Sequence, residues 1–202
     1  MSGNNSQIND GAGTVRDPLT SSFSRSYFID AVGIERQLAI DTGRPFSILL
    51  LDIDQLKNVN DEYGLSAGDA VVAGVAESVR QTLDQPQWQN LRCLQARFDG
   101  DSLVLVLPGC RHQRAEQFAH VLRRRIADAC YAGSISVTAS VAVTPYVIGE
   151  SVDEMLARAE RAMHVAKQFG GDSVEAIRVR EPEREKATVV RLPVKFRKPQ
   201  PA

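Results

Sequence analysis

The chain has 202 residues, 43% of them hydrophobic, enough for one domain of ordinary size with a buried core and short tails. Its formal net charge of −1 excludes the strongly basic balance of a general nucleic-acid binder and gives no case for a membrane surface. No run reaches the ~18 apolar residues of a membrane span, the first sixteen residues lack the apolar stretch of a secretory signal, and three scattered cysteines make no disulfide framework, so the expectation is a soluble, cytoplasmic protein.

Residues 1–16 are rich in Gly, Ser, Asn and Asp and aperiodic, which reads as a disordered tail. Structure is expected to begin at Asp17, with 17–20 as a short helical lead-in. A helix follows over 24–42, with Phe28, Val32, Leu38 and Ile40 as core candidates, ended by Gly43 and Pro45. The near-continuous apolar run 46–52 reads as a central strand covered on both faces. Residues 55–60 read as a turn and 60–69 as a loop. A helix over 70–83 follows from Val72, Val75, Ala76, Val79 and Leu83 at helical spacing. The runs 91–98 and 102–107 flank Asp99-Gly100, a hairpin signal. Next come a helix over 111–130, an alternating strand over 134–143, a helix over 153–168 stopped by Gly170-Gly171, and a last strand over 173–179.

Strands separated by helices, with one antiparallel hairpin, imply an α/β sandwich of the α+β type with a mixed sheet. The domain is expected to span 17–179. Residues 180–202 read as a disordered, basic, Pro-containing tail with seven Lys/Arg and three Glu, a balance of +4. The alternatives are a docking strand through Leu192, Val194 and Phe196, which Pro193 keeps from any central position, and contact with an acidic partner or membrane surface. Cys93, Cys110 and Cys130 read as buried small side chains. His112, His120 and His164 read as surface residues. Arg123-Arg124-Arg125 reads as a solvated helix face, and Trp88 as loop packing or a partner anchor.

Two carboxylate pairs carry the candidate chemistry. Asp52 and Asp54 end the first strand, and Asp99 and Asp101 sit at the hairpin tip. Because strand side chains alternate between faces, only one of Asp52 and Asp54 is expected to point into a given site. Asp52 with Asp101 can serve a hard divalent cation, which takes one or two carboxylates plus substrate phosphates. Lys57, one turn onward, can meet phosphate charge. Structural alternatives stay open: Asp54 as a cap on the following turn, and Asn60 and Asp69 as partners of loop backbone.

The motifs Asp17-x-Leu19-Thr20, Arg25-x-Tyr27-Phe28, Leu51-Asp52-Ile53-Asp54-x-x-Lys57-x-x-Asn60-Asp61-x-Tyr63-Gly64-x-x-x-Gly68-Asp69, Arg97-Phe98-Asp99-Gly100-Asp101 and Ala159-x-x-Ala162-x-x-x-Ala166-Lys167-x-x-Gly170 together resemble the GGDEF family of bacterial signalling domains. The resemblance covers about 17–179. It implies a palm-like sheet related to nucleotide cyclases and, in active members, a diguanylate cyclase that condenses two GTP into cyclic di-GMP and two pyrophosphates. It further implies that Asp52, the Ile53 carbonyl and Asp101 bind Mg²⁺ (or Mn²⁺), that Lys57 and Lys167 meet phosphate, and that Asn60 and Asp69 read the guanine edge. Gly100 would lie against the triphosphate. Activity would require two domains facing each other, each holding one GTP.

The family signature, Gly-Gly-(Asp/Glu)-Glu-Phe, stands here as Asp99-Gly100-Asp101-Ser102-Leu103. Asp99 puts a carboxylate where backbone should approach triphosphate. At ~4 Å and an effective dielectric of ~20, two like charges cost ~4 kcal/mol. Ser102 removes the family's glutamate. Leu65 replaces a usual His, Gly171-Asp172 replaces Arg-Asn, and Thr20-Ser21-Ser22 replaces Thr-Gly-Leu. The product-inhibition motif Arg-x-x-Asp is absent from Asn90-Leu91-Arg92-Cys93. The expectation is a degenerate GGDEF protein of cyclic di-GMP signalling, impaired in catalysis, that binds GTP or a protein partner. The alternative is a weak or conditional cyclase working as a homodimer. With sixteen residues before the domain, no covalent sensor or coiled-coil dimeriser is expected.

Overall fold

The computed structural model describes residues 15–168 and 170–178. In chain order these form α1 (Arg25–Thr42), β1 (Phe46–Ile53), α2 (Leu56–Tyr63), α3 (Leu65–Leu83), a 3-10 turn (Pro86–Trp88), β2 (Leu94–Arg97), β3 (Ser102–Pro108), α4 (His112–Asp128), β4 (Ala139–Pro145), α5 (Val152–Gln168) and β5 (Val174–Ala176). The tails expected at 1–16 and 180–202 lie outside the described residues, except Val15 and Arg16.

The sheet order is β2-β3-β1-β4-β5. β1 lies at its centre, antiparallel to both β3 and β4, while β4 and β5 run parallel. The apolar run of β1 explains its place. Leu49, Leu51 and Ile53 point into one core with residues of α3 and α4. Phe46, Ile48 and Leu50 point into a second core with residues of α1 and α5. A strand buried on both faces has no polar side to alternate with. The mixed sheet flanked by helices is the architecture expected.

Several local expectations are corrected. On α1 the buried residues are Phe28, Val32 and Ala39. Leu38 and Ile40 are exposed, because Ala39 takes the inward position of that turn. The lead-in is a hydrogen-bonded turn rather than a helix, with Asp17 Oδ1 accepting from the N–H and hydroxyl of Thr20 at 2.8 Å each. Residues 55–60 are not a simple turn. Gln55 adopts φ 55°, and α2 starts behind it with Leu56 and Val59 buried. α3 begins at Leu65, five residues earlier than periodicity suggested. β4 begins at Ala139 because Tyr131 and Ile135 bridge to each other first. Cys130 is exposed. His112 is partly buried, with Nε2 3.5 Å from Glu116. Trp88 is buried edge-to-face on Phe118, as loop packing requires.

Candidate nucleotide and metal site

Strand register brings the two predicted metal carboxylates together. Asp52 pairs with Ser102 across β1 and β3, and the Ile53 N–H donates to the Asp101 carbonyl at 3.2 Å. Residues 49 positions apart in sequence thus become neighbours at one end of the sheet. The hairpin tip closes through Phe98 N–H to the Ser102 carbonyl at 2.9 Å. Arg97 ties it from outside, donating to the Gly100 carbonyl at 2.8 Å and pairing with Asp17 at 3.2 Å.

The two signature departures both make contacts. The Ser102 hydroxyl donates to Asp52 Oδ2 at 3.3 Å and reaches Asp101 Oδ1 at 3.5 Å. Asp99 turns its carboxylate onto the Gly100 N–H at 2.8 Å, so the backbone donor at the tip is already taken. Lys167, on the last turn of α5, forms an ion pair with Asp52. Burial pushes the Asp52 pKa up, the Asp101 charge adds to this, and Lys167 and Ser102 oppose it.

Among the described residues no cluster of three or more His, Cys, Asp or Glu is placed to hold a metal. The donor set is therefore two carboxylates, with the Ile53 carbonyl as the third donor that the resemblance implies. That set suits a hard cation arriving with phosphate oxygens of its own.

Asp54 departs from both of its sequence readings. Asp52 and Asp54 are two residues apart, so a period of two puts them on the same side rather than opposite sides. Both engage the α5–β5 segment. Asp54 makes no cap to α2. It accepts from Thr138 Oγ1 at 2.7 Å, Ser140 Oγ at 2.8 Å and the Asp172 N–H at 2.8 Å. Its backbone N–H donates to the Thr138 carbonyl at 2.9 Å. Thr138 and Ser140 escaped the sequence reading. Their only signal there is a pair of hydroxyls spaced by two just before and in a strand.

The other predicted residues lie on α2 and α3. Gly64, at φ 85°, turns the chain between the helices, and the two pack on each other. An ideal Cβ on Gly68 would lie 1.7 Å from Asn60 Oδ1, so the Asn60 amide occupies the space a side chain would fill. Asp69 follows immediately and is exposed, as is Lys57 one turn before Asn60. Leu65 stands out at 75% exposure. Asn60 and Asp69 thus share one corner, while Asp52, Asp101 and Lys167 share another. A shallow pocket of about 260 Å³ beside the tip is lined by Asp17, Arg25, Arg97, Phe98, Asp99 and Gly100. Two larger grooves lie along α4.

The family model described as diguanylate cyclase, GGDEF domain, matches residues 14–173. The chain belongs to the GGDEF family. Among curated relatives, diguanylate cyclase DgcP of Pseudomonas aeruginosa is 31% identical over 163 residues, covering 79% of this chain and 23% of DgcP. Diguanylate cyclase DgcM of Escherichia coli is 31% identical over 162 residues, covering 79% and 38%. The chain therefore spans well under half the length of either. Among solved structures, diguanylate cyclase SiaD of Pseudomonas aeruginosa, in complex with its activator SiaC, superposes with a TM-score of 0.72 at 30% identity, over 80% of this chain and 61% of that one. The GGDEF domain of DgcB from Caulobacter crescentus, in complex with c-di-GMP, gives 0.73 at 23% identity over 82% and 96%. That second likeness shows the GGDEF fold alone. Among the described residues no helix is long and apolar enough to cross a membrane.

Proposed function

We propose that this GGDEF domain, formed by about 17–179, is a catalytically impaired regulatory module of cyclic di-GMP signalling. It takes GTP as a ligand, or a protein partner, rather than turning GTP over. The observation that carries the reading is the hairpin tip. Ser102 binds Asp52 where the signature has a glutamate, and Asp99 holds the Gly100 N–H that would otherwise face phosphate. A site that keeps its frame but loses charges aimed at the reacting groups loses transition-state stabilisation first.

In this reading Asn60 and Asp69 read the guanine edge. Lys57 and Lys167 meet phosphate oxygens, Lys167 leaving Asp52 to do so. Asp52, the Ile53 carbonyl and Asp101 hold Mg²⁺ or Mn²⁺, which when bound neutralises charge on the phosphates. The domain is proposed to work in the cytoplasm, where GTP is available to it. The deciding experiment titrates the purified protein with GTP and with cyclic di-GMP, with and without Mg²⁺, and reads heat and product in the same samples. Binding without product is expected. Cyclic di-GMP formed from GTP would sink the impaired reading, and no binding would leave a protein-interaction role.

A second reading, a weak or conditional diguanylate cyclase acting as a homodimer, is favoured by the retained Asp52 and Asp101 pair beside Lys167. It requires turnover that disappears in Asp101→Ala. Turnover indifferent to that change would refute the assignment of the metal carboxylate.

A further inference from the structure

We propose that Asp54 is a positioning residue that folds the α5–β5 turn around its carboxylate and so sets Lys167 against Asp52. The inference deepens the nucleotide reading above and rests on it for its consequence, though not for its geometry. Asp54 is 8% exposed. The three donors found on its carboxylate are neutral: two hydroxyls from 138 and 140 and the Asp172 N–H. The turn it grips is bound to α5 by two more contacts. The Gly170 N–H donates to the Lys167 carbonyl at 3.2 Å, and Ser173 Oγ donates to the Ala166 carbonyl at 2.8 Å. Asp172 is fastened on its other side by an ion pair with Arg123 of α4. A closed circuit results. It runs from Asp52 to Lys167, through the turn, and back to Asp54 just past the end of β1, two residues beyond its start.

Gly171 completes the device. Its φ is +83°, and an ideal Cβ there would lie 2.6 Å from Asp54 Cγ and 2.7 and 2.8 Å from its two oxygens. Gly170 and Asp172 also have positive φ, at 100° and 49°. A side chain at 171 must therefore both strain the backbone and expel the carboxylate. The missing arginine at this position is not a simple substitution. In this chain's turn a side chain at 171 would meet Asp54, and Lys167 is the cation that this segment offers to phosphate.

The test uses the full chain with Asp54→Asn and Gly171→Ala, alongside Thr138→Val as a milder variant should either fail to fold. Acylation of lysine amines is followed by mass spectrometry without nucleotide, together with hydrogen exchange of the 170–174 segment. Loss of the grip is expected to raise Lys167 labelling roughly two- to tenfold, the scale of one lost hydrogen bond, while exposed Lys57 is unchanged. Faster exchange at 170–174 with Lys167 labelling unaltered would overturn the positioning role and leave Asp54 as a local turn contact. Calorimetry with Mg²⁺ and GTP separates the two readings. If wild type binds no GTP, the ligand assignment fails, while the labelling result still decides the role of Asp54.

Discussion

The two corners of the candidate site are built in different ways. The Asn60 corner is local, because α2 and α3 adjoin in sequence and one glycine, Gly68, lets one side chain lie across the next helix. The Asp52 corner is assembled from β1, the hairpin, α5 and the turn after it, with partners 50 and 115 positions apart. The local corner retains every residue that the family pattern asks of it except at Leu65. The assembled corner carries Asp99, Ser102 and Gly171. Register between β1 and β3 is fixed by buried pairs such as Leu49 with Leu105 and Leu51 with Leu103. Both strands are buried on both faces, so a slip by one residue would exchange Leu103, Leu105 and Leu107 of one core for the smaller Val104 and Val106 of the other, which close packing resists. The core pairs hold the two strand ends together, so chemistry can change at the tip at little cost to the fold.

The largest effect is expected at the local corner. In Gly68→Ala the new Cβ must displace the Asn60 amide, the end of a side chain that can swing away. GTP affinity is expected to fall roughly tenfold or more, about 1.4 kcal/mol or above, with little change in melting temperature. Calorimetry and a thermal melt on the same sample check both halves. An unchanged affinity would remove Asn60 from base recognition.

At the assembled corner the expected change is smaller and opposite in sign. Asp99 is exposed, so water and salt screen its repulsion of phosphate well below the cost for a sheltered pair. Asp99→Gly frees the Gly100 N–H and removes the charge, and GTP should bind a few-fold tighter. A titration at two salt concentrations tests this, because the gain should shrink at the higher one. A loss of affinity would mean that Asp99 supports the tip more than it opposes the ligand.

The sequence made the layers legible because β1, α3, α4 and α5 are strongly patterned. Phe46 to Leu51 read as a strand covered twice, but a run that is apolar on both faces does not show which strands pair with it or in what register. Asp52 with Asp101 was legible as a pair through the family resemblance, and from spacing alone only on condition that the strand and the hairpin are neighbours. α2 was not. Its two buried residues, Leu56 and Val59, are too few to show a helical period, and its start depends on Gln55 in a left-handed conformation that no residue type announces. Asp54 was misread because i and i+2 were assigned to opposite faces. Even with that corrected, its partners Thr138 and Ser140 lie 84 and 86 positions away, just before and in β4. Leu38 and Ile40 show the converse error, apolar residues counted as core although Ala39 fills the inward position.

The assembled corner also responds to pH. The Asp52 pKa is raised in the folded protein, first by burial, so the folded state binds that proton more tightly than the unfolded chain does. The associated stability is fully present below the unfolded value, about 3.9, and is lost as pH rises through the higher folded value. Wild type should therefore lose stability relative to Asp52→Asn across that window and run parallel to it above. Added Mg²⁺ at neutral pH should then raise the melting temperature of wild type by mass action and leave Asp52→Asn nearly unmoved. Parallel melting curves at every pH would remove burial as the governing influence on Asp52.

The smallest effect belongs to Ser102. Its bond to Asp52 is long at 3.3 Å and its contact with Asp101 longer still at 3.5 Å, so Ser102→Ala should cost at most about 0.5 kcal/mol of stability, the low end for one hydrogen bond. The change should also raise the Asp52 pKa slightly, because it removes a donor to the ionised form. Carbon-13 NMR of the Asp52 carboxyl through a pH series reads that shift directly. If the pKa falls instead, the hydroxyl is accepting from a protonated carboxyl. In that case the tip is a proton-sharing pair rather than a metal corner awaiting its cation.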